Sequence, residues 1–365
     1  MAKGVARDIG PVEGMRELLK HLLARGKVEG VFALAKVEGG SMAYTLITSV
    51  QGLDGCVPFS PLMPVNMGQV LTRFTLKGAP SRPIAVLLRP CEMRAFVETV
   101  KRRQGRMENL VFISCTCGGV FPLGVEVEEG LESRSGEYWG AVTRNEVHPD
   151  LRPACRSCVE FMPYTADLTL RLLESTGRFL LTSDSDHGTD LLRGTPYELE
   201  GVELDQGRPR ALLERRSEVR SKLLDKEVGT DGMDSFVRTF GRCIGCHACG
   251  KVCPICYCTS CTFESPLFER KSDDFYKELE EKEGVRLPPG TAQFHLGRMV
   301  HMAVSCVACG SCQDVCPVHI PVSLVFKKVG ESLQRTFEYV PGRSPKEAVP
   351  LSAFEIEEFK GIGEE

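Results

Sequence analysis

Eight cysteines of this chain fall into two runs of identical spacing. Cys243, Cys246, Cys249 and Cys253 are followed by Pro254, and Cys306, Cys309, Cys312 and Cys316 by Pro317. Cys-x2-Cys-x2-Cys-x3-Cys-Pro is a spacing at which thiolates grip cubane 4Fe–4S clusters. Three cysteines two apart wrap three corners of one cube, and the fourth, next to proline, turns away to the other. One cluster is therefore expected on Cys243, Cys246, Cys249 and Cys316, and a second on Cys306, Cys309, Cys312 and Cys253. Zinc also takes four thiolates, but its usual pattern is two Cys-x2-Cys pairs without a third cysteine and a Cys-Pro in each run. Each cube carries one electron, so the chemistry implied is electron transfer.

Nine cysteines remain of the 17. Cys256, Cys258 and Cys261 directly follow the first run and lie within reach of a cluster. They suit a further cluster or alternative ligation; the competing reading is buried packing, and their density favours ligation. Cys155-x2-Cys158 is a half-site that needs two more ligands. Cys115-x-Cys117 offers one or two, and Cys91 another. A third cluster is expected on Cys91, Cys115, Cys155 and Cys158, because four bare thiolates brought together are reactive and costly unless a cation or cluster neutralises them. Cys56 is isolated and structural. His247, His295 and His301 are expected to pack or sit half-exposed rather than ligate. The Gly39-Gly40 and Gly118-Gly119 pairs do not make a GxGxxG fingerprint, so no Rossmann dinucleotide site is expected.

Elements must bring these thiols together. Met15, Leu18, Leu19, Leu22 and Leu23 share one face of a helix over residues 12–24, closed by Gly26 and Gly30. Strands are expected at 31–35 and 44–50. The apolar runs 83–88 and 109–114 have buried-strand length, with a helix over 92–103 between them. Strand, helix, strand with short connections predicts an α/β unit with a parallel pair. Cys91 and Cys115 then fall beyond the strand ends, where ligands gather in such sheets. Residues 178–204 are expected as further strand and turn, 212–226 as a polar connector helix, 271–282 as a charged helix and 291–304 as an apolar-striped one. The domain boundaries follow: an α/β domain over 1–225, a cysteine-rich helical domain over 226–338, and a Pro-rich, acidic-ended tail over 339–365 lying along the surface or on a partner.

The totals describe a soluble globular protein of two ordinary domains: 365 residues, 42% hydrophobic and 26% charged. A net charge of −4 gives no reason to expect nucleic acid or an anionic membrane surface. No stretch approaches 18 consecutive apolar residues, so no membrane span is expected. The N-terminus has no export signal, and the cysteine spacing is that of metal ligands, so a reducing cytoplasm is expected. Oxygen-sensitive clusters suggest an anaerobic host.

Two resemblances sharpen this. The cysteine runs are similar to bacterial ferredoxins, but the long helical insert between them resembles the α-helical ferredoxin arrangement of iron–sulfur subunits such as those of succinate dehydrogenase and heterodisulfide reductase. The segments Arg89-Pro90-Cys91-Glu92-Met93-Arg94-Ala95, the strand ending in Cys115, and Arg152-Pro153-Ala154-Cys155-x2-Cys158 resemble the coenzyme F-420 hydrogenase/dehydrogenase beta-subunit family, which includes formate dehydrogenase beta subunits. Phe337 to Arg343 also looks like bacterial members. The resemblance implies a flavin domain binding FAD, followed by the α-helical ferredoxin-like dicluster domain, with a 4Fe–4S cluster on the four matching cysteines. It implies electron transfer with a catalytic formate dehydrogenase or hydrogenase subunit, or with heterodisulfide reductase-like subunits. Here Cys115 is followed by Thr116-Cys117-Gly118 rather than the usual small-residue turn. No residue identifies a deazaflavin pocket, so the hydride partner stays open among coenzyme F-420, NAD(P)H and none. The alternative is a ferredoxin-like relay and docking module without flavin.

Overall fold

The computed structural model describes residues 2–124, 131–228, 232–266, 269–285, 287–350 and 352–353. The strands are β1 (Ala2–Arg7), β2 (Gly30–Lys36), β3 (Met42–Ile47), β4 (Ile84–Leu87), β5 (Leu110–Cys115), β6 (Leu168–Leu170), β7 (Phe179–Ser183) and β8 (Glu200–Val202). They form one sheet in the order β3-β2-β4-β5-β6-β7-β1-β8. The centre, β2-β4-β5-β6, is parallel, and both wings are antiparallel.

The expected parallel pair is thus the middle of a larger mixed sheet. Every residue of β4 and β5 is buried, as parallel strands covered on both faces must be. Strand alternation sorts their side chains. Ala85, Leu87, Val111 and Ile113 pack with helix α1 (Pro11–Ala24) through Met15, Leu18, Leu19 and Leu22. Ile84, Val86, Leu110 and Phe112 pack on the other face with α2 (Met67–Thr75) and α3 (Pro90–Lys101) through Met67, Leu71, Met93 and Phe96. Helices on both faces leave the strand ends as the place for a site.

Further helices are α4 (Leu131–Thr143), α5 (Pro153–Arg156), α6 (Asp186–Leu192) and α7 (Gly207–Glu227). The stretch expected as strand and turn therefore carries a helix, α6, between β7 and β8; Ser185 caps it by accepting from the Gly188 amide at 2.9 Å. The connector helix α7 is longer than expected and is not merely solvated: Leu212 and Arg216 are buried.

Beyond it the chain is helical: α8 (Gly232–Phe240), α9 (Ala248–Lys251), α10 (Ser272–Lys282), α11 (Thr291–Met302), α12 (Ser311–Asp314) and α13 (Val322–Thr336). Its own core gathers Phe240, Phe294, Met299, Met302, Ile320, Val322 and Phe326 with the cysteines of both runs except the exposed Cys246. The two halves are tied by polar contacts, the first two of them buried. Arg94 Nη2 donates to the Val307 carbonyl at 3.0 Å, Lys327 Nζ to the Ser157 carbonyl and hydroxyl, and Gln69 Nε2 to the Lys251 carbonyl at 2.9 Å. The start of the tail is anchored rather than free. The Tyr339 hydroxyl and the Gly342 amide both donate to Glu98, the latter at 2.8 Å. Gly342 adopts φ +71°, and a Cβ there would meet the Arg94 backbone at 2.2 Å, so only glycine fits. Residues 354–365 of the expected tail lie outside the described residues.

Candidate metal centres

The two runs fold against each other through α9 and α12. The Cys249 thiol is pushed up to about 11 by burial, with the thiolates of Cys243, Cys246 and Cys316 adding to it. Cys316 therefore lies near enough to Cys249 to act on its charge. Conversely, Cys253 lines one cavity with Cys306, Cys309 and Cys312, closed by Met302, Val307 and Phe326. The lining of this cavity fits the second of the two crossed sets. Among the described residues no three His, Cys, Asp or Glu side chains converge on one ion-sized point. A cube, whose ligands each hold a different iron, does not require that.

N–H groups point at these sulfurs. The Gly245 amide stands 3.4 Å from Cys243 Sγ and the Ile320 amide 3.3 Å from Cys316 Sγ. Arg298 Nη1 donates to Cys249 Sγ at 3.0 Å and Nη2 to the Cys249 carbonyl at 3.1 Å. His295 Nε2 lies 3.4 Å from Cys243 Sγ; burial, with Arg298 adding, pushes this imidazole down to about 3, so it is neutral. Burial works against the charge on Arg298, but the thiolates of Cys249, Cys253, Cys256 and Cys312 outweigh it and raise its pKa. Sequence reasoning missed Arg298. A signal existed: Phe294, Arg298 and Met302 recur at four-residue spacing, placing an arginine on the apolar face of α11.

A third cavity lies at the rim of the sheet. Cys91, Cys117, Cys155 and Cys158 line it, together with Gly119, Phe161, Arg89 and Arg216. Three of the four expected thiols are there. Cys115 is not among the lining residues, but it hydrogen-bonds Cys117, which is. Cys115 ends β5, is paired in register with Leu170 and packs into the core, while Cys117 is two residues into the loop beyond. Cys91 is reached because Pro90 opens α3 immediately after the strand, a position suited to proline. Glu92 holds that turn by accepting from the Arg89 amide at 2.8 Å and the Met67 amide at 3.1 Å. The site is electrostatically divided. A hydrogen bond from Cys115, with Arg89 and Arg216 helping, brings Cys117 down to about 6. Burial raises Cys91 well above the ordinary thiol value and Cys155 to about 12. Arg216 Nη2 donates to the Gly118 carbonyl at 2.7 Å, and its guanidinium lies 4.9 Å from the Phe161 ring centre.

Ala308 and Cys309 belong to the walls of both the third cavity and the Cys306 cavity. The thiol sites are therefore contiguous across the junction of the two halves. Beside them, a larger cavity of about 880 Å³ touches Cys158 and Cys306 and is lined by Arg94, Arg220, Lys327 and Tyr339.

Cys256, Cys258 and Cys261 line another cavity, of about 700 Å³, with Arg298 and His301. Cys256 lies 3.4 Å from Met302 Sδ and is brought to about 6 by a hydrogen bond from Cys253, then by Arg298. Cys258 is exposed and Cys56 is fully buried. His247 is stacked on Phe294 and pairs with Glu264 at 2.9 Å. No helix is long and apolar enough to cross a membrane among the described residues.

Residues 239–320 match the 4Fe-4S dicluster domain. The chain is similar to the F420-dependent formate dehydrogenase subunit beta of Methanocaldococcus jannaschii, at 25% identity over 89% of this chain and 90% of the relative. It is also similar to the F420-dependent formate dehydrogenase 1 subunit beta of Methanococcus maripaludis, at 28% identity over 89% of each. A chain of the F420-reducing [NiFe] hydrogenase complex from Methanosarcina barkeri matches with a TM-score of 0.44 and 12% identity, over 62% of this chain and 91% of that one. The resemblance carried by Arg89 to Ala95 and by Cys155-x2-Cys158 is thus borne out: the chain is similar over most of its length to F420-dependent formate dehydrogenase beta subunits, and its second half matches the 4Fe-4S dicluster domain.

Proposed function

We propose that this chain is an iron–sulfur flavoprotein electron-transfer subunit, the beta subunit of a formate dehydrogenase-type complex. The observation that carries the reading is the contiguous series of thiol-lined cavities, joined at Ala308 and Cys309. In this reading Cys243, Cys246, Cys249 and Cys316 hold one cluster, and Cys306, Cys309, Cys312 and Cys253 the second. Cys91, Cys117, Cys155 and Cys158 hold a third. In this reading the α/β domain over 1–225 is the flavin domain, with the dicluster half closing one side of the flavin cavity.

The cavity of about 880 Å³ has room for FAD, and its wall mixes cations with the carboxylates of Glu160, Asp225, Glu331 and Glu338. Arg94, Arg220 and Lys327 supply cations for a diphosphate, and Cys158 and Cys306 put cluster ligands on the cavity wall. When bound, FAD supplies hydride chemistry on one side and single-electron release on the other. The chain's own residues do the rest. Arg89, Arg216 and Arg298 stand as fixed positive charges beside the thiols, and the apolar packing excludes water from the path. Coenzyme F-420 is the hydride partner that the relatives' names support. The electron partner is a catalytic formate dehydrogenase or hydrogenase subunit, with heterodisulfide reductase-like subunits beyond it, in the cytoplasm of an anaerobic host.

The test is anaerobic purification from the native host, followed by acid extraction. About one FAD per chain, iron near twelve atoms as three cubes require, and a co-purifying formate dehydrogenase subunit are expected. Iron without flavin would leave the ferredoxin-like relay instead; zinc in place of iron would end both readings.

A further inference from the structure

Arg298 faces thiols of both dicluster sites and Arg94 stands near Cys306, but direct N–H contacts to sulfur are more numerous at one of the two. The Cys243, Cys246, Cys249 and Cys316 set receives the Gly245 and Ile320 amides and Arg298 Nη1, and faces His295 Nε2. In the Cys306, Cys309, Cys312 and Cys253 set, the Ala308 amide is the N–H directed at Cys306, and Cys253 instead meets the Met302 thioether at 3.7 Å. Arg298 itself is buried, and α11 holds it in place. Its guanidinium packs over the Phe294 and Phe326 rings at 5.4 and 4.8 Å, and Nη2 reaches Met302 Sδ at 3.8 Å.

Adding an electron to a thiolate-ligated cube makes it more negative. A fixed cation in a low-dielectric site favours the more negative state, and hydrogen bonds to the sulfurs act in the same direction. We infer that the cluster on Cys243, Cys246, Cys249 and Cys316 has the higher reduction potential of the two, and that Arg298 is the positioning residue chiefly responsible. This deepens the two-cluster reading above and rests on it. Electrons entering from the α/β half would then collect at this outer cluster, whose ligand Cys246 is exposed. There they meet a one-electron partner rather than returning to the sheet.

The experiment is a redox titration followed by EPR on the full chain, loaded with clusters and labelled with 15N-arginine. The step whose signal carries a 15N hyperfine coupling that Arg298→Lys removes is the cluster at Cys249. It is expected to be the step reduced first. In Arg298→Gln the reduced-to-oxidised ratio of that cluster, at fixed ambient potential, should fall at least about tenfold, or about 59 mV for one electron. Arg298→Lys, which keeps the charge, should recover most of the loss, as a purely packing role would not require. A coupled signal in the lower-potential step, a potential unchanged to within threefold in Arg298→Gln, or a lysine variant no better than the glutamine one would each overturn the inference. If the glutamine variant fails to load, the order of the two steps in the labelled wild type decides alone. A wild type without two EPR-active clusters would instead overturn the two-cluster reading itself.

Discussion

Arg152 Nε lies 2.6 Å from the Asp314 carboxylate, and both side chains are almost wholly buried. Arg152 belongs to the turn that presents Cys155; Asp314 ends the short helix that carries Cys312. One ion pair therefore joins the third thiol site to the dicluster half. Removing one partner strands a buried charge, which costs roughly 3–5 kcal/mol, whereas replacing both with apolar groups is often neutral. Asp314→Ala is expected to lower the thermal midpoint and open the junction to protease. Arg152→Met with Asp314→Leu should recover most of the midpoint. Equal midpoints for single and double variants would show that the pair does not bind the halves.

The crossed arrangement gives a second expectation. Cys253→Ser should damage the cluster on Cys306, Cys309 and Cys312, and Cys316→Ser the cluster on Cys243, Cys246 and Cys249. EPR of the two variants decides: if each replacement harms the cluster of its own run, the crossing is wrong while two clusters remain.

Cys117 and Cys115 can be told apart in the same way. Cys117→Ser should take iron from about twelve to about eight atoms per chain, one cube's worth. Cys115→Ser should leave it near twelve, because that thiol ends a strand and packs in the core. The reverse result would restore the set expected from sequence.

Cys56 supplies a pH test away from any cluster. Burial pushes its thiol up to about 12, with Arg16 opposing. The folded value is raised, so its contribution to stability is complete below the unfolded value near 9 and is lost as pH climbs toward 12. By pH 10.5 the loss is roughly 2 kcal/mol. Denaturant titrations of wild type and Cys56→Ala at pH 8 and 10.5 should show the variant's disadvantage shrinking by that amount. A constant difference between the two would mean that the thiol ionises equally in both states.

The cysteine runs were legible because ligand geometry dictates their spacing, and residues 239–320 match the 4Fe-4S dicluster domain. The buried strands β4 and β5 and helices α1, α3, α10 and α11 were also readable, within a few residues, from apolar runs and helical spacing. β1 and β6 were not, while β7 and β8 fall within the stretch expected as strand and turn. β6 is three residues long and β1 contains Lys3, Gly4 and Arg7, so neither shows an apolar run. These strands exist because neighbours offer paired edges, which is a tertiary cause. The exchange of Cys115 for Cys117 has a similar origin. Spacing puts both beyond a strand, but only the ladder to Leu170 shows that the strand continues through Cys115.

The shared wall at Ala308 and Cys309 also bears on how the protein is made. The third cavity is bounded by residues from both halves, so docking of the dicluster half walls it in. Iron and sulfide must arrive while the nascent chain is still open, or the halves must part to admit them. Maturation then has an order, with the rim cluster built before the junction shuts. Refolded apoprotein given iron and sulfide afterwards should fill the two dicluster sites quickly and the rim site last.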